Sequence, residues 1–158
     1  EYRFNTFALL RHSFRSPWHF IFSKFLSHWV ALIFILSTVS IFPLLLWYAG
    51  IYEYSFLWSG ILAIVLNLAL FVSMGLWCST LTTQPVLAMF MTYVLILLHW
   101  MVPWIKELTS NTWWMNLWDY LSVPRHFEWI AKGEVPVATL GFYFIHCLFF
   151  LFLTRLSW

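Results

Sequence analysis

The chain has 158 residues, 63% of them hydrophobic and only 9% charged. A soluble domain carries roughly 25% charged residues and leaves much of its surface wet, so this composition excludes an ordinary water-soluble fold and makes lipid the expected solvent. A net charge of +2 offers no pull on nucleic acid, and the two cysteines, Cys78 and Cys147, sit in apolar runs as small hydrophobes with neither a disulfide framework nor metal-ligand spacing.

Residues 1–24 are too polar to span a bilayer. Phe4, Phe7, Leu10 and Phe14 recur at helical spacing while Arg3, Arg11, His12 and Arg15 punctuate them. That pattern predicts an amphipathic helix, with Pro17 ending it before the first span. Four apolar runs follow, at about 25–48, 58–81, 85–105 and 137–156, and Arg155 is the one Lys, Arg, Asp or Glu within them. As helices, stretches of about 20 residues cross a hydrocarbon core of roughly 30 Å. Lipid obliges the backbone to satisfy its own hydrogen bonds, and the alternating polarity of a barrel is absent. The expected fold class is therefore all-α: a polytopic transmembrane bundle of about four spans. Pro43 and Pro103 lie near the ends of their spans, where a proline kinks a helix.

The loop 106–136 is longer than a connector needs, and it carries Trp113, Trp114, Trp118, Tyr120, Phe127 and Trp129. Aromatics of this kind seek the membrane interface. Short external helices lying in or dipping into the outer leaflet are expected, the second ended by Gly133 and Pro136. Orientation follows from Lys and Arg. Arg3, Arg11, Arg15, Lys24 and Arg155 fall on one side, and Lys106, Arg125 and Lys132 on the other. The positive-inside rule then puts both ends in the cytoplasm.

No catalytic constellation stands out. The six histidines show no pair at i, i+3 or i, i+4 spacing, so helical metal ligation has no support. His99 and His146 lie in spans. Each reads either as a functional ionisable group or as a neutral imidazole hydrogen-bonded to a neighbouring helix. Asn67, the most polar group in mid-span, fits a hydrogen bond across a helix interface, worth about 1 kcal/mol, or a place on a translocation path. Gly60, Ala63, Asn67, Gly75 and Cys78 form a stripe of small residues that suits close helix packing. His126 and Glu128 have the chemistry of an acid–base pair at the outer face, although Glu128 is equally placed to pair with Lys132 at i, i+4. Nothing matches G-x-x-x-x-G-K-[ST], so ATP-driven work would need a separate nucleotide-binding subunit.

Three local patterns occur in order along the chain. The first is Glu1, Arg3, Thr6, Leu9 and Leu10, then Ser16 and Trp18, then Lys24, Phe25 and Leu26 entering a span. The second is Gly75, Leu76, Ser79, Leu81, Thr82, Val86 and Ala88 at the inner end of a span. The third is Arg125, His126, Phe127, Glu128, Ala131, Lys132 and Gly133 before the last span. Together they resemble type-2 ABC exporter permeases, especially the gliding-motility branch. The chain departs from that pattern with Asn5 for a glycine, Phe14 for a proline, Ser23 before the lysine and Arg125 for a serine.

The resemblance implies a permease half of six spans, of which this chain holds spans three to six, in a bacterial plasma (inner) membrane. It implies that 1–24 is a coupling segment docking on a cytoplasmic ABC ATPase through Glu1, Arg3, Thr6, Phe7, Leu9, Leu10 and Arg11. ATP and Mg would then reside on that partner, with no cofactor on this chain. A second permease half would complete the translocation path, and His126, Phe127, Glu128 and Gly133 would belong to an external re-entrant helix. Other readings of the same residues are an N-terminal helix resting on anionic lipid, a membrane anchor that transports nothing, and a membrane enzyme using His126 and Glu128.

Overall fold

A computed structural model of the chain describes residues 17–50, 53–107 and 111–157. The expected contacts of Glu1, Arg3, Thr6, Phe7, Leu9, Leu10 and Arg11 lie outside the described residues. Among the described residues the chain is all-α, with no strand. Helix α1 is Pro17–Val39, α2 Ile41–Tyr48, α3 Tyr54–Leu81, α4 Pro85–Glu107, α5 Thr112–Leu121, α6 Val123–Ala131 and α7 Val137–Leu156. Four stretches are long and apolar enough to cross a membrane: Pro17–Tyr48, Tyr54–Leu81, Pro85–Trp104 and Val137–Leu156. The protein is an integral membrane protein.

Helix α1 is described from Pro17, a residue that a helix tolerates in its first turn, and the expected break there falls at the edge of the described residues. No boundary falls at Lys24. Residues 17–24 continue into the first span, since nothing between Trp18 and Lys24 interrupts a helix. Pro43 does interrupt one: α1 gives way to α2 at Ser40, three residues before it. A proline has no N–H to offer, and its ring clashes with the preceding turn. The Ser40 hydroxyl donates to the Leu36 carbonyl at 2.9 Å, which also accepts the Ser40 backbone N–H at 2.9 Å, so the polar groups of Ser40 are satisfied within the helix end. Pro103, in contrast, is carried inside α4 without ending it. The α2 end is closed by Gly50, whose φ of 72° is open to glycine and costly for other residues.

Helix α3 is the hub, packing against α7, α4, α6 and α1. Its buried residues Ala63, Leu70 and Met74 join Phe142, Tyr143 and Phe150 of α7 and Val123 and Ile130 of α6. Within lipid this cluster is held by close packing and not by expulsion of water, because the acyl chains outside are as apolar as the core. Several hydroxyls in the spans bond within their own helices. Ser73 donates to Leu70 O at 2.7 Å, Thr92 to Ala88 O at 2.7 Å and Thr154 to Phe150 O at 2.8 Å, each within its own helix.

Between α4 and α7 the chain forms a helical hairpin. Asn111 caps α5 by accepting from the Trp113 N–H at 2.9 Å. Ser122 ends α5 and caps α6, its hydroxyl accepting from the Arg125 N–H at 3.4 Å. Pro124 occupies the first turn of α6. Gly133, with φ 87°, ends it as expected. Its N–H reaches Ile130 O at 2.9 Å and the Glu134 N–H reaches Trp129 O at 3.0 Å, the paired bonds of a Schellman motif. Helix α5 lies along α4, and α6 is pressed against α3.

Candidate functional site

The hairpin carries the densest polar network among the described residues, and His126 is its centre. The ring is 1% exposed. Its Nε2 lies 2.8 Å from the Tyr120 carbonyl, which can only accept, so Nε2 carries the proton. Nδ1, 2.9 Å from Thr139 Oγ1, therefore accepts the threonine hydroxyl. One neutral tautomer thus ties α5 to α6 and α6 to α7. Burial pushes the His126 pKa below its ordinary value, the Tyr120 carbonyl opposes that shift, and the Arg125 charge adds to it.

Arg125 makes an ion pair with Asp119 across the α5–α6 junction. Its guanidinium also lies 4.4 Å from the centre of the Trp129 ring. The His126 ring stacks on Phe142 at 4.1 Å, and Phe142 lies 4.1 Å from His146 on its other side. The column continues to His99, 6.5 Å from His146, and on to Phe150, 6.0 Å from His99. Three of the six histidines thus share one column of rings, which their sequence spacing did not show. Phe142 separates His126 from His146, so the column packs rings and does not pass protons.

The other predicted residues fall as follows. Phe127 packs against the core cluster. Glu128 faces away from His126 and sits 3.8 Å from Lys132, both side chains more than half exposed. With both His126 nitrogens engaged and Glu128 turned to Lys132, the two do not form an open acid–base pair. His99 and His146 bond the i−4 carbonyls of their own helices, Leu95 and Phe142, each at 2.9 Å, and not a neighbouring helix.

No family model, curated protein or solved structure matches the chain.

In the spans, Ala63 is fully buried and a Cβ on Gly75 would lie 3.6 Å from Thr92 of α4, so both mark close packing. Gly60 has open space around it and marks none. Asn67 is buried, but the expected cross-helix bond to its oxygen is not made. The Asn67 amide and the Tyr143 hydroxyl lie close enough between α3 and α7 to interact, but Asn67 Oδ1 and the Tyr143 hydroxyl make no hydrogen bond of good geometry. Among the described residues no group of three His, Cys, Asp or Glu converges as a metal site would.

Sequence reasoning singled out His126 and missed Asp119, Tyr120, Arg125 and Thr139 as its setting. Asp119 and Arg125 are six apart across a helix break, and His126 and Thr139 thirteen apart, neither a helical neighbour spacing.

Proposed function

We propose that the chain is a membrane-spanning permease subunit of a type-2 ABC exporter, driven by ATP hydrolysis on a separate cytoplasmic ATPase. The observation that carries this reading is the third sequence pattern, 125–133, in its structural setting. Its residues build most of a short helix and its glycine stop, with the helix's buried face folded onto the bundle between the third and fourth described spans, in the chain position where the resembling permeases have their external re-entrant helix. The second pattern supports it, since 75–88 runs over the end of α3, the short turn at Thr82–Gln84 and the start of α4.

On this reading the ATPase docks on the coupling segment 1–24, in a groove that takes the face of Phe4, Phe7 and Leu10. Closure of the ATPases then tilts the spans and exchanges the side to which a path between two permease halves is open. The cytoplasmic placement of both ends and the bacterial inner membrane belong to the same proposal.

The test is co-purification with an ATPase whose turnover responds to this subunit. Leu10→Asp should leave insertion in the membrane intact and uncouple ATP hydrolysis from transport. Unchanged coupling in that variant would remove the docking segment from the proposal. A subunit that binds the ATPase but never alters its turnover would be an anchor.

A further inference from the structure

A groove of about 580 Å³ runs along the side of the bundle. Its walls are α1, through Phe22, Phe25 and Trp29, and α7, through Leu148 and Leu151; α3 forms its floor with Ala69. The Trp29 indole N–H donates to Val65 O at 3.1 Å and pins α1 to α3 along one margin. On α7 the lining extends from Val137 to Leu151, about 21 Å at the rise of an α-helix. That exceeds the depth of one leaflet's hydrocarbon, about half of a core of roughly 30 Å.

One end of this groove is charged. Trp18 and Phe22 are in ring contact at 5.7 Å one turn apart, and Arg155 lies one turn beyond Leu151. The Arg155 guanidinium sits 5.1 Å from the centre of the Trp18 ring, so the two walls meet there under an exposed cation. Among the described residues no carboxylate pairs with Arg155. A cation at the interface, stacked on an indole and set over an apolar channel as long as a leaflet is deep, complements an acyl chain joined to an anionic headgroup.

We propose that this groove binds one acyl chain of an anionic phospholipid from the leaflet on the Trp18 side, its phosphate held by Arg155. The site is independent of the transport reading and of which leaflet is cytoplasmic. A free phosphate would use Arg155 alone and leave the groove empty, whereas a lipid uses both.

The experiment is native mass spectrometry of the whole chain released from nanodiscs containing equal phosphatidylglycerol and phosphatidylcholine. The wild type should retain phosphatidylglycerol in preference. Arg155→Gln should lower that preference about tenfold, the ratio equivalent to one charge-assisted hydrogen bond, and Arg155→Lys should keep much of it. Leu148→Trp, which fills the channel at a partly exposed position, should lower retention of both lipids with the fold unchanged by circular dichroism. Equal preference in wild type and Arg155→Gln would overturn the proposal. So would a dimer that excludes lipid and that Leu148→Trp dissociates, or release of the lipid by inorganic phosphate without effect from Leu148→Trp.

Discussion

At the hairpin, His126 spends both ring nitrogens on Tyr120 and Thr139, and its ring face on Phe142. One turn further along α7, Tyr143 meets Asn67 of α3 with its hydroxyl and the amide oxygen both unpartnered. The two sites share helix α7 and differ in how completely their polar groups are satisfied. In a low-dielectric interior a satisfied network stiffens its surroundings, whereas an unmade bond leaves the local arrangement dearer and easier to change. The hairpin is thus built as a fixed element, and the mid-span pair as a packed but polar-unsatisfied point between α3 and α7.

The sharpest way to break the comparison is to remove the ring. His126→Ala leaves the Tyr120 carbonyl and Thr139 hydroxyl without their partner and opens a hole beside Phe142. A cost of about 3–5 kcal/mol is expected, adding the loss of buried hydrogen bonds to that of a cavity. Chemical unfolding in detergent micelles measures it. A loss under about 1 kcal/mol would show that the network is ornamental and would erase the contrast with Asn67.

Acid should weaken the same site without mutation. The folded pKa of His126 lies below its unfolded value of 6.5, so the unfolded chain takes up the proton first. Stability from the neutral ring is complete above the unfolded value and falls away as the pH drops below it towards the folded value. Melting of the wild type should therefore decline between neutral pH and mild acid more steeply than that of His126→Phe, which keeps a ring against Phe142 but cannot titrate. Parallel pH profiles would place the acid response elsewhere.

How much of this was legible beforehand differs by element. The spans were, because a run of apolar residues without charge has one backbone solution in lipid. The break at Pro43 and the Gly133 stop were also legible, since each follows from a local backbone property of one residue type. The N-terminal edge of the first span was not: Pro17–Lys24 is polar enough to read as a separate segment, yet it contains no breaker after Pro17. The His126 network was only half legible, because its partners come from a preceding helix and a following span. That the Asn67 oxygen makes no well-formed hydrogen bond was not legible at all, because its neighbour Tyr143 lies on a helix far away in sequence.

At the unsatisfied site, replacement should be cheap. Tyr143→Phe removes a buried hydroxyl that gains nothing in the fold, and Asn67→Leu removes an amide oxygen in the same condition. Each variant is expected to be neutral or stabilising by up to about 1 kcal/mol, because the cost of burying an unpaired polar group disappears with it. If either loses more than that in the same unfolding assay, the pair is bonded in solution and the two sites are alike. A double-mutant cycle reads the coupling directly, and a value near zero is expected.

The smallest effect belongs to Glu128 and Lys132, the ion pair on the exposed face of α6. At 3.8 Å and more than half exposed on both sides, the pair gains little from attraction that water and salt screen. Glu128→Gln should cost no more than about 0.5 kcal/mol, and added salt should remove even that. It sharpens the comparison because Glu128 is two residues from His126 on the same short helix. If the helix is fixed by its buried face alone, Glu128→Gln leaves the acid response of His126 unchanged. A shifted pH profile in Glu128→Gln would mean that the surface charge reaches the buried ring, and that the hairpin is held from both faces.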